Sequence, residues 1–405
     1  MSDLADLGPK SSYKSPPLAV ATARGANRPA QLARLADIER EAWQALADRA
    51  VEPNGYYLPD WELAVDGFAP GRGGALALAA WDAAAAEPGQ LAGLLPAIPA
   101  WRAFGIPVAA LVSADPYGVL GTPLLDDTDP DAAARVLIDE ARAAGQRALI
   151  LRDVALDGPA LAAITHGLAP LDLEPRVLNA YLRAGLDATQ DAEAMLADAL
   201  GHKKLKELRR QRHRLAEHGA VAFSVARTPA AVADALETFL ALEASGWKAR
   251  RGTAMAQSPG DVAFMRQATR SLSARGACEI VTLSAGPTAV ASGVVLRHRD
   301  RAFWFKLGID ERFAKASPGV QLALELTRHL CADQAIRFAD STASPDHPMI
   351  NPIWRERIAV GDVLVPLRRH DPAVELLHVA LVARRHGLNQ ARRIVHALRR
   401  LAGRR

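Results

Sequence analysis

Cysteine is nearly absent. The 405 residues hold two, Cys278 and Cys331, too few for a disulfide framework or a cysteine-rich metal site, and no metal-ligand spacing is present. Both fall in predicted buried elements, a strand and a helix, where a thiol is a poor nucleophile. No run of about 18 apolar residues occurs, so no membrane-spanning helix is expected. Residues 1–29 lack the apolar core of a signal peptide and are expected to be a disordered leader. A reducing cytoplasm is the expected location. No Ser-His-Asp or Cys-His arrangement is legible.

Positive charge is present but unevenly placed. The formal net charge is +4. From Pro366 to Arg405 ten arginines face only Asp371 and Glu375, a local +8, and His202 to His218 carries +5 through Lys203, Lys204, Lys206, Arg209, Arg210, Arg212 and Arg214. The rest of the chain is therefore acidic, which favours anionic partners at these two segments alone.

Periodicity and turn residues give the order of elements. In the second half Thr228-Pro229 and Ser258-Pro259-Gly260 open helices, and three strands follow in a meander: Cys278 to Leu283, Ala289 to Leu296 and Ala302 to Ile309. A basic loop leads to a helix from Pro318, a strand from Ala335 to Asp340, a helical turn at Met349 to Arg355 and a last strand from Ile358 to Leu367. The first half repeats this order more faintly. It has helices at Ala30 to Arg49 and Leu58 to Asp66, then strands at Ala75 to Trp81, Leu91 to Pro96 and Val108 to Ala114. A helix at Pro130 to Ala144, a strand at Arg147 to Arg152, a helix at Gly158 to His166 and a strand at Leu171 to Arg183 complete it. Duplication of one mixed α/β unit is the economical reading. The expected segments are a unit at 30–185, a linking basic helix at 186–219, a second unit at 220–367 and a basic amphipathic tail at 368–405. The tail is expected to form two helices, the first ending at Gly387.

The richest stretch runs from Phe303 to Val320. It reads as a strand, a basic turn and a helix start, with Ser317 as N-cap and Pro318 in the first helical position. The free N–H groups of such a helix suit an anion, and Arg312 and Lys315 add charge beside it. The matching loop of the first unit, Leu124 to Asp131, holds four acids and would repel phosphate. A plain capped surface helix explains Ser317-Pro318 equally well.

Three strings carry a family likeness. They are Leu242 to Lys248 with Gly252-Thr253, the stretch from Phe305-Lys306 through Asp310-Glu311-Arg312-Phe313 to Ser317-Pro318-Gly319, and Asp340 with Asp346-His347-Pro348-Met349-Ile350. With the element order, they resemble the GNAT acyltransferase fold, and in duplicated form the tandem-GNAT group of BioF2-like or CelD-like acetyltransferases, relatives of the Fem-type peptidyltransferases. The resemblance implies two GNAT-like units in tandem, each a central, mostly antiparallel sheet flanked by helices. It also implies an acyl-CoA donor, acetyl-CoA in the simplest case, and an amine or amino-sugar acceptor in bacterial polysaccharide or envelope biosynthesis. The glycine-rich pyrophosphate loop of that family is reduced here to Gly319, which keeps an aminoacyl-tRNA donor open.

The candidate donor-binding residues are Arg312, Lys315, Ser317, Gly319 and Val320. Acyl transfer to an amine needs a group to take a proton, and Asp340, His347 and Glu243 are the candidates. Asp340 could instead cap a turn, His347 could be a turn residue before Pro348, and Glu243 a surface acid. Trp247, Lys248, Lys306 and Asp346 are the candidate acceptor contacts, with Trp247 equally a packing anchor and Lys306 equally an outward-facing strand residue. The arginine-rich tail suits an anionic membrane surface, an acidic partner or an anionic nucleotide effector. It lacks the aromatic platform that nucleic acid would use. A non-catalytic degenerate GNAT that senses an anion through this tail is the reading from another class.

Overall fold

A computed structural model describes residues 32–82 and 89–402. The expected leader, and the side chains of Trp247, Lys248 and residues 388–402, lie outside the described residues.

The first half contains β1 (Ala33–Arg34), α1 (Arg40–Asp48), α2 (Pro59–Phe68), β2 (Leu76–Trp81), β3 (Leu91–Pro99), α3 (Ala100–Phe104), β4 (Ala110–Ser113) and β5 (Leu124–Leu125). It continues through α4 (Pro130–Ala143), β6 (Ala148–Ala155), α5 (Pro159–Leu168) and β7 (Arg176–Asp187). The second half contains α6 (Ala192–Ala216), β8 (Val221–Ala226), α7 (Pro229–Ala244), α8 (Trp247–Arg250), α9 (Pro259–Ala274), β9 (Cys278–Ala285), β10 (Thr288–His298) and β11 (Arg301–Ile309). It ends with α10 (Pro318–Ala332), β12 (Phe338–Asp340), β13 (Glu356–Pro366) and α11 (Pro372–Ala402).

Several helix starts follow from local chemistry. Asp129, Asp191, Thr228 and Ser258 each accept a backbone N–H of the first turn, and Pro follows the cap in α4, α7 and α9. One expectation changes here. The tail is one helix, not two: Gly387 stays within α11, because an interior glycine weakens a helix by only about 1 kcal/mol. Around residues 349–353 the expected helical turn is present as hydrogen-bonded turns: the Asn351 and Trp354 N–H groups donate to the His347 and Ile350 carbonyls four residues back, without continuing into a helix.

The strands form one sheet in the order β1-β2-β3-β4-β6-β13-β7-β12-β11-β10-β9-β8, with β5 beside β3. Each half contributes one parallel pair, β4 with β6 and β11 with β12; the other pairs are antiparallel. The repeated order is therefore real, but the last strand of each half changes place. β13 pairs with β6 of the first half, and β7 pairs with β12 of the second. The result is a mixed α/β fold with a large, mostly antiparallel sheet flanked by helices.

Both faces of the sheet are covered. On one face α1, α2, α4 and α5 pack over the first half and α7 and α9 over the second, in one continuous core. On the other face α6 and α10 cover the second half, and α3 and the start of α11 cover the first. The halves meet through rings: Trp61 is edge-on to Phe264 at 4.9 Å, and Tyr56 is edge-on to Phe303 at 5.9 Å. Aromatic pairs of this kind add about 0.5–1.5 kcal/mol beyond area burial.

Candidate functional site

β11 and β12 share only three rungs, Arg301 with Phe338 to Phe303 with Asp340. β11 then runs on to Ile309 while β12 stops at Asp340. The gap between them holds a cavity of about 410 Å³ lined by Trp304, Phe305, Lys306, Leu307, Ile309, Ser341, Thr342, Ala343, His347, Met349 and Ile350. Most of these side chains are apolar, which suits the buried part of an extended ligand. His347 Nδ1 at this gap, and Trp304 Nε1 over Gly293 of β10, have no hydrogen-bond partner among the described residues. Such atoms are normally satisfied by protein, water or ligand.

A bulge shapes the β11 wall. Val294 of β10 faces Lys306 while Val295 faces Trp304, so Phe305 is the extra residue. A bulge interrupts alternation and re-aims side chains. Lys306 Nζ consequently sits 5.5 Å from the centre of the Tyr117 ring, which Arg72 also covers at 4.2 Å. Tyr117 stacks on Phe264 at 5.1 Å. Lys306 thus faces a seam between the halves, where a first-half ring meets α9.

The start of α10 abuts the same gap. A Cβ on Gly319 would lie 3.1 Å from Leu307, 3.2 Å from Met349 and 3.4 Å from Ile309, all residues of the cavity wall. Glycine lets helix and strand pack closely there; a larger residue would push these side-chain ends by a few tenths of an ångström. Ser317 is not the side-chain N-cap expected: it has a left-handed backbone (φ 52°, ψ 54°) and makes no cap hydrogen bond. The preceding 3-10 turn, Glu311–Ala316, runs directly into the helix and sets that backbone. Pro318 and Gly319 are buried, while Ser317 and Val320 are half-buried. Gly319 and Val320 lie in the first turn, whose N–H groups have no intrahelical acceptor.

The two cations differ. Arg312 forms a two-pronged ion pair with Asp310, with Nε 3.0 Å and Nη2 2.7 Å from Oδ2. Its guanidinium holds the Asp310 carboxyl below the usual carboxylate range. Lys315 is exposed and has no ion pair among the described residues.

The three proton-transfer candidates do not converge. Asp340 is buried and accepts Arg183 Nη2 on one oxygen and the Thr342 N–H at 2.8 Å on the other. Arg183, fully buried, also donates to the Val119 carbonyl. His347 lines the cavity, and burial pushes its imidazole below the ordinary histidine range, favouring the neutral form. Glu243 is buried at the end of α7 and accepts the Met255 N–H at 2.8 Å. It lies on the other side of β11, where Gly308 lets the α7 backbone come close. Asp346 is exposed in the turn before His347, with φ 55°. Trp247 and Lys248 begin α8, and their side chains are outside the described residues.

His347 and Lys306 thus line one cavity and Gly319 packs behind its wall, while Arg312, Lys315 and Glu243 are not among its lining residues. Sequence reasoning missed Trp304, Thr342, Arg183 and Tyr56. The Tyr56 hydroxyl is buried, and burial raises its pKa, with Thr342, Asp340 and Arg183 around it. The contacts of Arg183 with Asp340 and of Tyr56 with Phe303 each span more than 150 residues, so no local pattern signals them.

Residues 202–346 match the family model for the Acetyltransferase (GNAT) domain. No curated protein matches the chain. Among solved structures, FemX is similar in fold at 10% identity and a TM-score of 0.53, over 84% of this chain and 98% of that one. The C-terminal domain of a putative lysylphosphatidylglycerol synthetase from Agrobacterium fabrum is similar at 14% identity and a TM-score of 0.51, over 85% of this chain and 96% of that one. At such identities the likeness speaks to fold alone. The family match and the repeated element order agree: residues 202–346 are similar to a GNAT acetyltransferase domain, which supports an acyltransferase.

Proposed function

We propose that the protein is an acyl-CoA-dependent N-acyltransferase, acetyl-CoA being the simplest donor, whose acceptor is an amino sugar or a related amine of bacterial polysaccharide or envelope synthesis. A narrower kinship to the BioF2-like or CelD-like acetyltransferases belongs to the same proposal. The observation that carries the donor assignment is the apolar cavity opened where β11 and β12 part, with the start of α10 against its wall. An extended thioester ligand would place its chain in this gap and its pyrophosphate toward Gly319, Val320 and the exposed Lys315. Arg312, paired to Asp310, contributes less charge there.

Transfer to an amine needs the nucleophile uncharged. His347 is the proton acceptor best placed for the donor cavity, because its burial favours neutral imidazole near pH 7. Asp340 acts through position: its carboxylate is occupied by Arg183 and by the Thr342 N–H. Lys306 beside Tyr117 faces the seam between the halves, which we assign to the acceptor together with Trp247, Lys248 and Asp346. A peripheral place at the inner face of the membrane would bring a lipid-linked acceptor to this seam.

A second reading has its own observation. Lys203, Lys206, Arg209, Arg210 and Arg214 are exposed on α6 and form no ion pair among the described residues, and α6 packs on α10, where Gln321 Nε2 donates to the Leu208 carbonyl. This row of cations favours a polyanionic donor such as an aminoacyl-tRNA. Titration calorimetry with acetyl-CoA, followed by turnover assays on amino sugars and on charged tRNA, separates the readings. Binding and turnover with acetyl-CoA is the expected result. Turnover with charged tRNA alone would replace the donor. Anion binding without any turnover would make the protein a sensor.

A further inference from the structure

The end of β12 carries a backbone outlier. Thr342 has φ 46°, in the left-handed region that a β-branched residue rarely enters. Strain of this kind persists only where the surroundings over-determine it, and it collects at functional sites. Here two hydrogen bonds fix the residue. Its N–H donates to Asp340 Oδ1 at 2.8 Å, and its hydroxyl donates to the Trp304 carbonyl at 2.5 Å. Asp340 is itself held by the fully buried Arg183.

The register shows what this prevents. The parallel ladder pairs Arg301, Ala302 and Phe303 with Phe338, Ala339 and Asp340. Further rungs would bring Trp304 opposite Ser341 and Phe305 opposite Thr342. The ladder stops instead. The Thr342 hydroxyl takes the Trp304 carbonyl, a strand acceptor that a continuing β12 could have used, and the left-handed backbone turns the chain away. The cavity opens at this point, and Trp304, Ser341 and Thr342 all line it.

We propose that Thr342 is a positioning residue: its hydroxyl closes the last rung between β11 and β12 and holds the strands apart, so that the acyl donor can lie between them. This inference rests on the reading of the gap as the donor site. Thr342→Val keeps the shape but removes the hydroxyl, and Thr342→Ser keeps the hydroxyl with a smaller side chain.

The test uses the full chain and three measurements on wild type, T342V and T342S. These are titration calorimetry with coenzyme A, thermal melting, and amide hydrogen exchange over residues 304–309. In T342V the affinity for coenzyme A should fall by about tenfold or more. Its melting temperature should hold or rise, and exchange over 304–309 should slow as the ladder extends. T342S should restore all three. Unchanged affinity and exchange in T342V overturn the proposal. So does a loss of affinity accompanied by lower melting temperature and faster exchange, which is ordinary destabilisation. If the wild type does not bind coenzyme A, the donor reading fails and the exchange measurement alone decides: slower exchange in T342V supports the spacing role, and unchanged exchange removes it.

Discussion

Arg183 of β7 and Asp340 of β12 form a buried ion pair across adjacent strands, joining the last strand of the first half to a short strand of the second. Arg183 is fully buried and Asp340 nearly so. Removing one partner of such a pair leaves an uncompensated buried charge. Asp340→Ala should therefore cost about 3–5 kcal/mol of stability. Replacing both with leucine should recover much of that loss, since apolar substitutes for a whole buried pair are often neutral. Urea denaturation of the two single variants and the double variant checks this. A full-stability Asp340→Ala protein would remove the structural role.

Lys315 and Arg312 should not contribute equally to donor binding. Arg312 is already neutralised by Asp310, whereas Lys315 has no ion pair among the described residues. A charge-assisted contact is worth about 1.5–3 kcal/mol, so Lys315→Glu should weaken coenzyme A at least about tenfold. Arg312→Ala should do less. Calorimetric titration of both variants measures the difference, and an equal loss would mean that Arg312 leaves Asp310 to meet the donor.

Glu52 gives a pH dependence. Its carboxyl is buried, and burial raises its pKa from 4.5 to about 7, with Arg301 opposing the shift. One oxygen accepts the Ala160 N–H at the start of α5. Between pH 4.5 and 7 the folded protein holds this proton and the unfolded chain releases it, so stability from this group falls as pH rises through that window. The full effect is about 3 kcal/mol in order of magnitude. Glu52→Gln keeps an acceptor and removes the titration. It should raise the melting temperature at pH 8 relative to wild type and change it little at pH 4.5. Parallel melting curves of the two proteins across that range would refute the assignment.

The tail divides into a structural start and a remainder. Val374, Leu377 and Leu381 of α11 are buried against Ala100, Val112, Ile150 and Leu364. Asp371 pairs with Arg147, and Glu375 with Arg176. A chain ending at Arg369 should therefore lose stability. Leu377→Ala should cost about 2–5 kcal/mol. A chain ending at Gly387 should keep its melting temperature, and salt-dependent binding to anionic vesicles then tests the arginines beyond it.

The sequence by itself determined the element order and most of the faces. The three apolar strands between Cys278 and Ile309 were legible from the turns that separate them, and the helical spacing of Val232, Leu236, Phe239 and Leu240 because it reports which side of the helix leaves water. Caps such as Thr228 and Ser258 were legible because their partners lie three residues on. The likeness of Phe305 to Gly319 and of Asp340 to Ile350 pointed to the region that holds the cavity. Only the tertiary structure decided the rest. The exchange of β7 and β13 is a choice between strand partners far apart in the chain, and both partners satisfy the same local pattern. The pairing of Arg183 with Asp340 spans 157 residues. The left-handed backbone of Ser317 and Thr342 is imposed by what surrounds them, against the preference of the residues themselves. Periodicity encodes burial; it does not encode where one strand stops following its neighbour, and that is where the cavity lies.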